Sequence, residues 1–232
     1  MNIYKLPNTH TSFTSRNCPI KPFMVESKSG DLFVEELTSE ESAQAARFQI
    51  QFYEREFPHF SKWIKPKDAV EREEVFEALE YLQQIMLNKP EGNSTVLVGR
   101  DSQQKIKAMF ALGDFDEFAW AKEKLVDKQT AYVSNCLVEA DYRGQGVGEK
   151  MLEKLLKTAD GKFTDIFLEA NYKAVDFYKR AGFKPLDLKI PELREISAYI
   201  MANRSDSESL TLMSKSLDPT NHWWKRIVKY LK

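Results

Sequence analysis

The order of apolar patterns along the chain predicts an α/β fold, a mixed sheet flanked by helices. Two observations carry it. Short stretches rich in β-branched and apolar residues alternate with longer segments whose apolar residues recur every three or four positions. One strand-like stretch, 130–138, runs into glycines at alternate positions, Gly144, Gly146 and Gly148, and then into helical spacing at Met151, Leu152, Leu155 and Leu156, with Val147 on the same face. There is no internal repeat. A chain of 232 residues suits one domain with additions or two small ones, and 42% hydrophobic content allows a sizeable core.

Residues 1–30 read as a polar N-terminal arm. The first 25 residues contain no acid and carry Lys5, Arg16 and Lys21; an organelle transit peptide shares that trait, but a basic amphipathic pattern is missing. The first strand is expected over 31–37. Thr38 and Glu41 then form a capping box, and a helix follows with Ala45, Phe48 and Phe52 on one face, ending near Pro58. A second helix is expected over 68–87, with Val75, Phe76, Leu79, Leu82 and Met86 at helical spacing. Its acids, Glu71, Glu73, Glu74, Glu77 and Glu80, read as a solvated face, with capture of a basic substrate as the alternative.

Two strands, 95–99 and 106–112, are joined by a polar turn at 101–104. Residues 114–129 have helical composition, with Phe118, Leu125 and Val126 as apolar contacts. After the glycine turn and its helix, a strand is expected over 163–170. A helix follows, with Asn171 as N-cap, Ala174, Phe177, Tyr178 and Ala181 on one face, and Gly182 as its stop. An inserted helix over 191–203 and a last strand over 209–217 complete the domain, 31–217. The tail, 218–232, is a basic amphipathic helix: Trp223, Trp224, Ile227, Val228 and Leu231 interleave with Lys225, Arg226, Lys229 and Lys232. Docking on its own domain or on a twin subunit is preferred to an anionic membrane surface.

Composition narrows the function classes. A net charge of −1 gives no global attraction to nucleic acid or membrane. Cys18 and Cys136 form no CxxC, which fits a reducing, cytoplasmic setting. His10, His59 and His222 lack metal-ligand spacing, and no apolar run is long enough to span a membrane. The chemistry is therefore expected in the glycine turn. Successive N–H groups at a helix start bind an anion, and glycine lets the backbone take positive φ there. Arg143 adds a fixed charge. The dinucleotide fingerprint fails on spacing, and the P-loop fails because Glu149 and Lys150 follow Gly148.

The pattern that fits is Arg-x-x-Gly-x-Gly, Arg143 to Gly148. It resembles the acetyl-CoA-binding signature of the GNAT superfamily of N-acetyltransferases. Asn171, Ala174, Phe177, Tyr178, Gly182 and Phe183 match that family's later motif, Asn-x-x-Ala-x-x-Phe-Tyr-x-x-x-Gly-Phe. The resemblance implies a mostly antiparallel central sheet, splayed between 130–138 and 163–170 to admit acetyl-CoA as co-substrate. It implies that the backbone of Cys136, Leu137 and Val138 pairs with the pantetheine arm. The N–H groups from Arg143 through Gly144, Gln145, Gly146, Val147 and Gly148 would hold the diphosphate, and Asn171 would fix the pantetheine from the other side. Tyr178 is the general acid by the same resemblance. Cys136 is then a strand residue and not a nucleophile.

The general base is left open. Some family members carry Glu where this chain has Tyr132; Glu139, Glu169, Asp114, Asp116, Glu117 or a water are alternatives. The acceptor is expected to be a primary amine, with a small molecule slightly favoured over a peptide. In the family the acceptor side is built from two connections, here 57–67, with Phe57, Phe60 and Trp63, and 184–208. A homodimer is compatible with the tail and the insertion. The competing reading is a CoA-binding module without turnover.

Overall fold

The computed structural model describes residues 20–56, 68–87, 94–114, 130–185 and 210–217. Their elements are β1 (Phe23–Val25), β2 (Leu32–Glu36), α1 (Ser42–Glu56), α2 (Ala69–Leu87), β3 (Thr95–Arg100), β4 (Ile106–Asp114), β5 (Thr130–Val138), α3 (Val147–Ala159), β6 (Asp165–Asn171), α4 (Val175–Arg180), β7 (Lys184–Pro185) and β8 (Leu210–Ser216). The strands form one sheet in the order β1-β2-β3-β4-β5-β6-β8-β7. Every neighbouring pair is antiparallel except β5–β6, whose parallel crossover is made through α3. The mostly antiparallel mixed sheet is the one expected.

Alternation along the strands sends side chains to two cores. Leu97, Phe110, Val133, Ile166 and Leu168 pack with Val147, Met151, Leu155 and Tyr178 on the face of α3 and α4. Val96, Val98, Met109, Ala111 and Leu137 pack with Ala45, Phe48 and Phe52 of α1 on the other. Helix α2 covers α1, with Phe76 against Ala46 and Ile50. Arg100 is almost fully buried at the end of β3. It donates to Glu35 at 3.0 Å, Glu41 at 2.6 Å and Gln44 at 2.6 Å, which ties the start of α1 to the sheet.

Most expected elements form within a residue or two of their expected bounds, and the differences have local causes. The Thr38 N–H donates to the Glu41 carboxylate at 3.1 Å, but the box opens a short 3-10 turn that leads into α1. Asp68 caps α2 by accepting from the N–H groups of Val70 and Glu71. The sheet begins earlier than residue 31: Phe23–Val25, inside the stretch read as an arm, pairs with Leu32–Val34. Asn171 does not cap α4. It is the last residue of β6, and its side chain accepts from the Lys173 N–H at 3.0 Å in a turn that precedes the helix. Asp114 closes β4, whereas the helical stretch after it, the inserted helix, the tail, the link 57–67 and residues 1–19 lie outside the described residues.

A candidate active site where β5 and β6 part

β5 and β6 pair from Thr130↔Asp165 to Val133↔Leu168, and there the ladder stops. β6 continues as a partner of β8, and β5 continues as a partner of β4. The cause is visible in the opposite ladder. Ala111 faces Asn135 while Leu112 faces Val133, so Ser134 is an extra residue, a bulge. A bulge bends its strand and ends regular pairing. Among the described residues, the edge of β5 from Ser134 to Val138 that faces β6 has no strand partner. This is the splay expected from the resemblance, and its physical origin is Ser134.

The open edge leads to the glycine turn. Gly144 and Gly146 sit at φ +70° and +81°, and a Cβ at either would meet no atom within 4 Å. Their glycines serve backbone conformation beside open space. Gly148 does not need a left-handed backbone, and a Cβ there would lie 3.5 Å from the Phe177 ring and 3.7 Å from Phe110, in ordinary contact. Among the described residues, the N–H groups of residues 144–148 have no acceptor in the protein, while that of Arg143 is used by the Ala140 carbonyl. Five successive N–H donors at the start of α3 are the arrangement that suits an anion.

The Arg143 side chain is tied down. Its Nε donates to the Val138 carbonyl at 2.7 Å, and its Nη1 pairs with Glu56 at 2.8 Å. That contact holds the Glu56 carboxyl below its usual range. Arg55 bonds both Glu56 and Glu139, and the Arg55 and Arg143 guanidinium groups both lie over the Phe52 ring. The end of α1 is thereby fixed to the end of β5.

Tyr178 is buried on α4, edge-on to Phe177 and Phe183, and its hydroxyl is hydrogen-bonded to the Cys136 thiol. Burial and then the thiol raise its pKa well above 10.0. Burial likewise pushes the Cys136 thiol up to about 12, although the residue as a whole is only partly buried. Its side chain lies in apolar surroundings and its exposure elsewhere does not relieve that. The expected acid and the expected strand residue are thus side by side, both protonated at neutral pH.

The other face of the splay carries polar groups that sequence reasoning missed. The Asn135 side-chain oxygen accepts from Gln49 at 3.2 Å and from Tyr53 at 3.1 Å, both on α1. Because of the bulge, Ser134 and Asn135 share this face, and the Ser134 hydroxyl is buried without a partner among the described residues. Tyr132 lies on the same face and influences Tyr178 electrostatically, as does Tyr53. On β6, Ile166, Leu168 and Ala170 point to the α3 core, so Glu169, one residue past the last pair, faces α1, and its carboxylate oxygens are shielded from solvent. Of the other carboxylates considered as base, Glu139 is bound to Arg55; Asp116 and Glu117 lie outside the described residues. Among the described residues no group of three or more acids, histidines or cysteines is arranged for a metal.

The profile of the acetyltransferase (GNAT) family matches residues 47–183, from within α1 to the end of the α4 turn, which is more than half of the chain. The chain belongs to the GNAT acetyltransferase family. It is similar to the peptidyl-lysine N-acetyltransferase YjaB of Salmonella typhimurium, 45% identical over 47 residues, which is 20% of this chain and 32% of that protein. It is similar to thialysine N-epsilon-acetyltransferase of Sus scrofa, 39% identical over 59 residues, 24% of this chain and 35% of that protein. The matches therefore span about a third of the length of these curated relatives. The crystal structure of PaiA N-acetyltransferase from Thermoplasma acidophilum in complex with coenzyme A superposes with a TM-score of 0.52 at 14% identity, covering 80% of this chain and 98% of that one. At that identity the likeness shows the GNAT fold. Among the described residues, no helix is long and apolar enough to cross a membrane.

Proposed function

We propose that the protein transfers an acetyl group from acetyl-CoA to a primary amine, by direct attack of the amine in a ternary complex. One observation carries this reading. The open edge of β5 leads to five free N–H groups at its far end and has the Tyr178 hydroxyl beside Cys136 within it. Acetyl-CoA supplies an acyl group activated as a thioester. The N–H groups of residues 144–148 hold its diphosphate at the start of α3. The edge at Cys136, Leu137 and Val138 pairs with the amides of the pantetheine arm as an added strand does, and Asn171 contacts the arm from β6.

A free N–H of this edge supports the negative charge that grows on the thioester carbonyl; one such donor is worth about 3 kcal/mol. Tyr178 keeps its proton at neutral pH and donates a hydrogen bond to the departing sulfur. Its raised pKa makes full proton transfer to a thiolate, whose acid has a pKa of about 8.5, an uphill step. Its contribution is therefore set near the lower end of general-acid effects, about 10²-fold. Glu169 accepts the ammonium proton, directly or through a water. The Ser134 hydroxyl and Tyr132 face the incoming amine.

Both curated relatives are named for amines of the lysine type, peptidyl-lysine and thialysine. The acceptor here is read as an amine of that kind, with a small molecule slightly favoured over a peptide. Cytoplasmic location and a homodimer remain part of this proposal.

The test is a thermal-unfolding series with acetyl-CoA, followed by thiol release with thialysine and with a lysine-containing peptide. Acetyl-CoA at about 100 times its Kd should add roughly 2.7 kcal/mol, and Gly146→Trp should abolish that shift. Thiol release with either amine establishes transfer. A shift with no release on any amine of a wider panel points to a binding module without turnover, and no shift removes the CoA reading altogether.

A further inference from the structure

The glycine turn has an anchor outside its own motif. Gly144 and Gly146 both hold positive φ and have no side chain to fix them, so the Gln145 side chain is the handle between them. It is gripped by a segment 116 residues away, the turn between β1 and β2. The Ser29 N–H donates to Gln145 Oε1 at 3.2 Å. Gln145 Nε2 donates to Ser29 Oγ at 3.0 Å and also to the Asp141 carbonyl. Ser29 Oγ donates to that same carbonyl at 2.6 Å. Gly30 takes φ +113°, a conformation side chains rarely adopt, where the turn lies beside the Tyr142 hydroxyl.

The gripping turn is itself stiff. Ser27 Oγ donates to the Gly30 carbonyl at 2.6 Å, the Gly30 N–H donates to the Ser27 carbonyl at 3.2 Å, and Asp31 accepts from the Ser27 N–H at 3.3 Å. The strand pairing of β1 with β2 holds its base.

We propose that the β1–β2 turn is a clasp that preorganises the diphosphate cradle, with Ser29 as its positioning residue. The proposal rests on the reading that CoA binds at residues 144–148. A flexible two-glycine turn must be ordered when an anion binds, and that ordering lowers affinity. The clasp orders it beforehand. Among the described residues its hydrogen bonds to the glycine loop go to the Gln145 side chain and the Asp141 carbonyl, so the five N–H donors are left for the ligand.

The experiment is calorimetric titration of the full chain with CoA, which needs no acceptor. The variants are Ser29→Ala, Gln145→Ala, the double variant, and Thr158→Ala as control. Among the described residues the Thr158 hydroxyl donates to the Leu155 carbonyl at the far end of α3, so its loss should leave affinity within about twofold. Ser29→Ala removes two hydrogen bonds of the clasp and should weaken CoA about five- to tenfold, with Ser29→Thr recovering most of the loss. Gln145→Ala should weaken CoA by a similar factor, and the double variant should lose clearly less than the product of the two single losses, because the Ser29–Gln145 bond is common to both. A Ser29→Ala affinity equal to the wild type, or losses that multiply in the double variant, would overturn the clasp alone. A wild type that binds no CoA would overturn the cofactor reading and the clasp together.

Discussion

Burial makes the Cys136 thiol a poor nucleophile. With its pKa at about 12 rather than 9.0, its thiolate fraction at pH 8 is about 10³-fold lower than in the unfolded chain. Iodoacetamide at pH 8 should therefore label Cys136 in the native protein about 10³ times more slowly than in urea, as followed by peptide mapping. The same shift makes stability depend on pH. A group whose pKa is raised on folding stabilises fully below its unfolded pKa, and that stability is lost as pH rises through the folded one. The window is about pH 9 to 12, with a loss of about 1.4 kcal/mol per pH unit for one proton. In urea unfolding across that window, Cys136→Ala should show a shallower decline than the wild type. Equal slopes would mean that the thiol is solvated. Tyr178→Phe tests the partner. It keeps the ring packing against Phe177 and Phe183 and removes only the hydroxyl. Transfer should fall about 10- to 100-fold with CoA affinity changed less than about threefold; a variant as fast as wild type would reduce Tyr178 to a core residue.

At the scale of the element, the glycine turn separates two demands that the motif merges. Gly146 answers to backbone conformation, whereas Gly148 is free of that demand and has room for a Cβ against Phe177 and Phe110. Gly146→Ala should cost about 1–2 kcal/mol in urea unfolding, and Gly146→Asn less, because asparagine visits the left-handed region more readily. Gly148→Ala should cost less still, since a Cβ at 3.5 Å from Phe177 is in ordinary contact. An equal cost for Ala at both positions would refute the division. These two motifs were legible in the sequence because they are local: a strand, a turn and two short helices whose bounds follow from periodicity and glycine. What escaped is long-range or short. Phe23–Val25 is three residues, too few for a period to show. The Ser134 bulge exists only in the pairing of β5 with β4, and nothing in the sequence 130–138 marks it. Asn171 was expected to cap a helix because its side chain does take a nearby N–H; the helix starts four residues later, after a turn. The Asn135 contacts with Gln49 and Tyr53, and the Ser29 grip on Gln145, join segments more than 80 residues apart.

For the molecule as a whole, the sheet is a wall with a gap. Helices α3 and α4 cover one face and carry the glycine turn and Tyr178; α1 and α2 cover the other and carry the groups around Asn135. The gap begins where β5 leaves β6 at Ser134. On the proposed reading the two reactants reach one point from opposite faces without exchanging places, and Cys136, the one free thiol among the described residues, is held protonated by burial. This geometry favours direct transfer over a covalent acyl-enzyme, because an acyl-enzyme needs a nucleophile and a site that the acceptor enters after CoA leaves. The expected kinetics are sequential. Incubation with acetyl-CoA labelled in its acetyl group, without any amine, should leave the precipitated protein unlabelled. With a working amine, double-reciprocal lines at several acetyl-CoA concentrations should intersect. Parallel lines, or label recovered on Cys136, would mean that the thiol is ionised during turnover and that the gap admits the two substrates in succession.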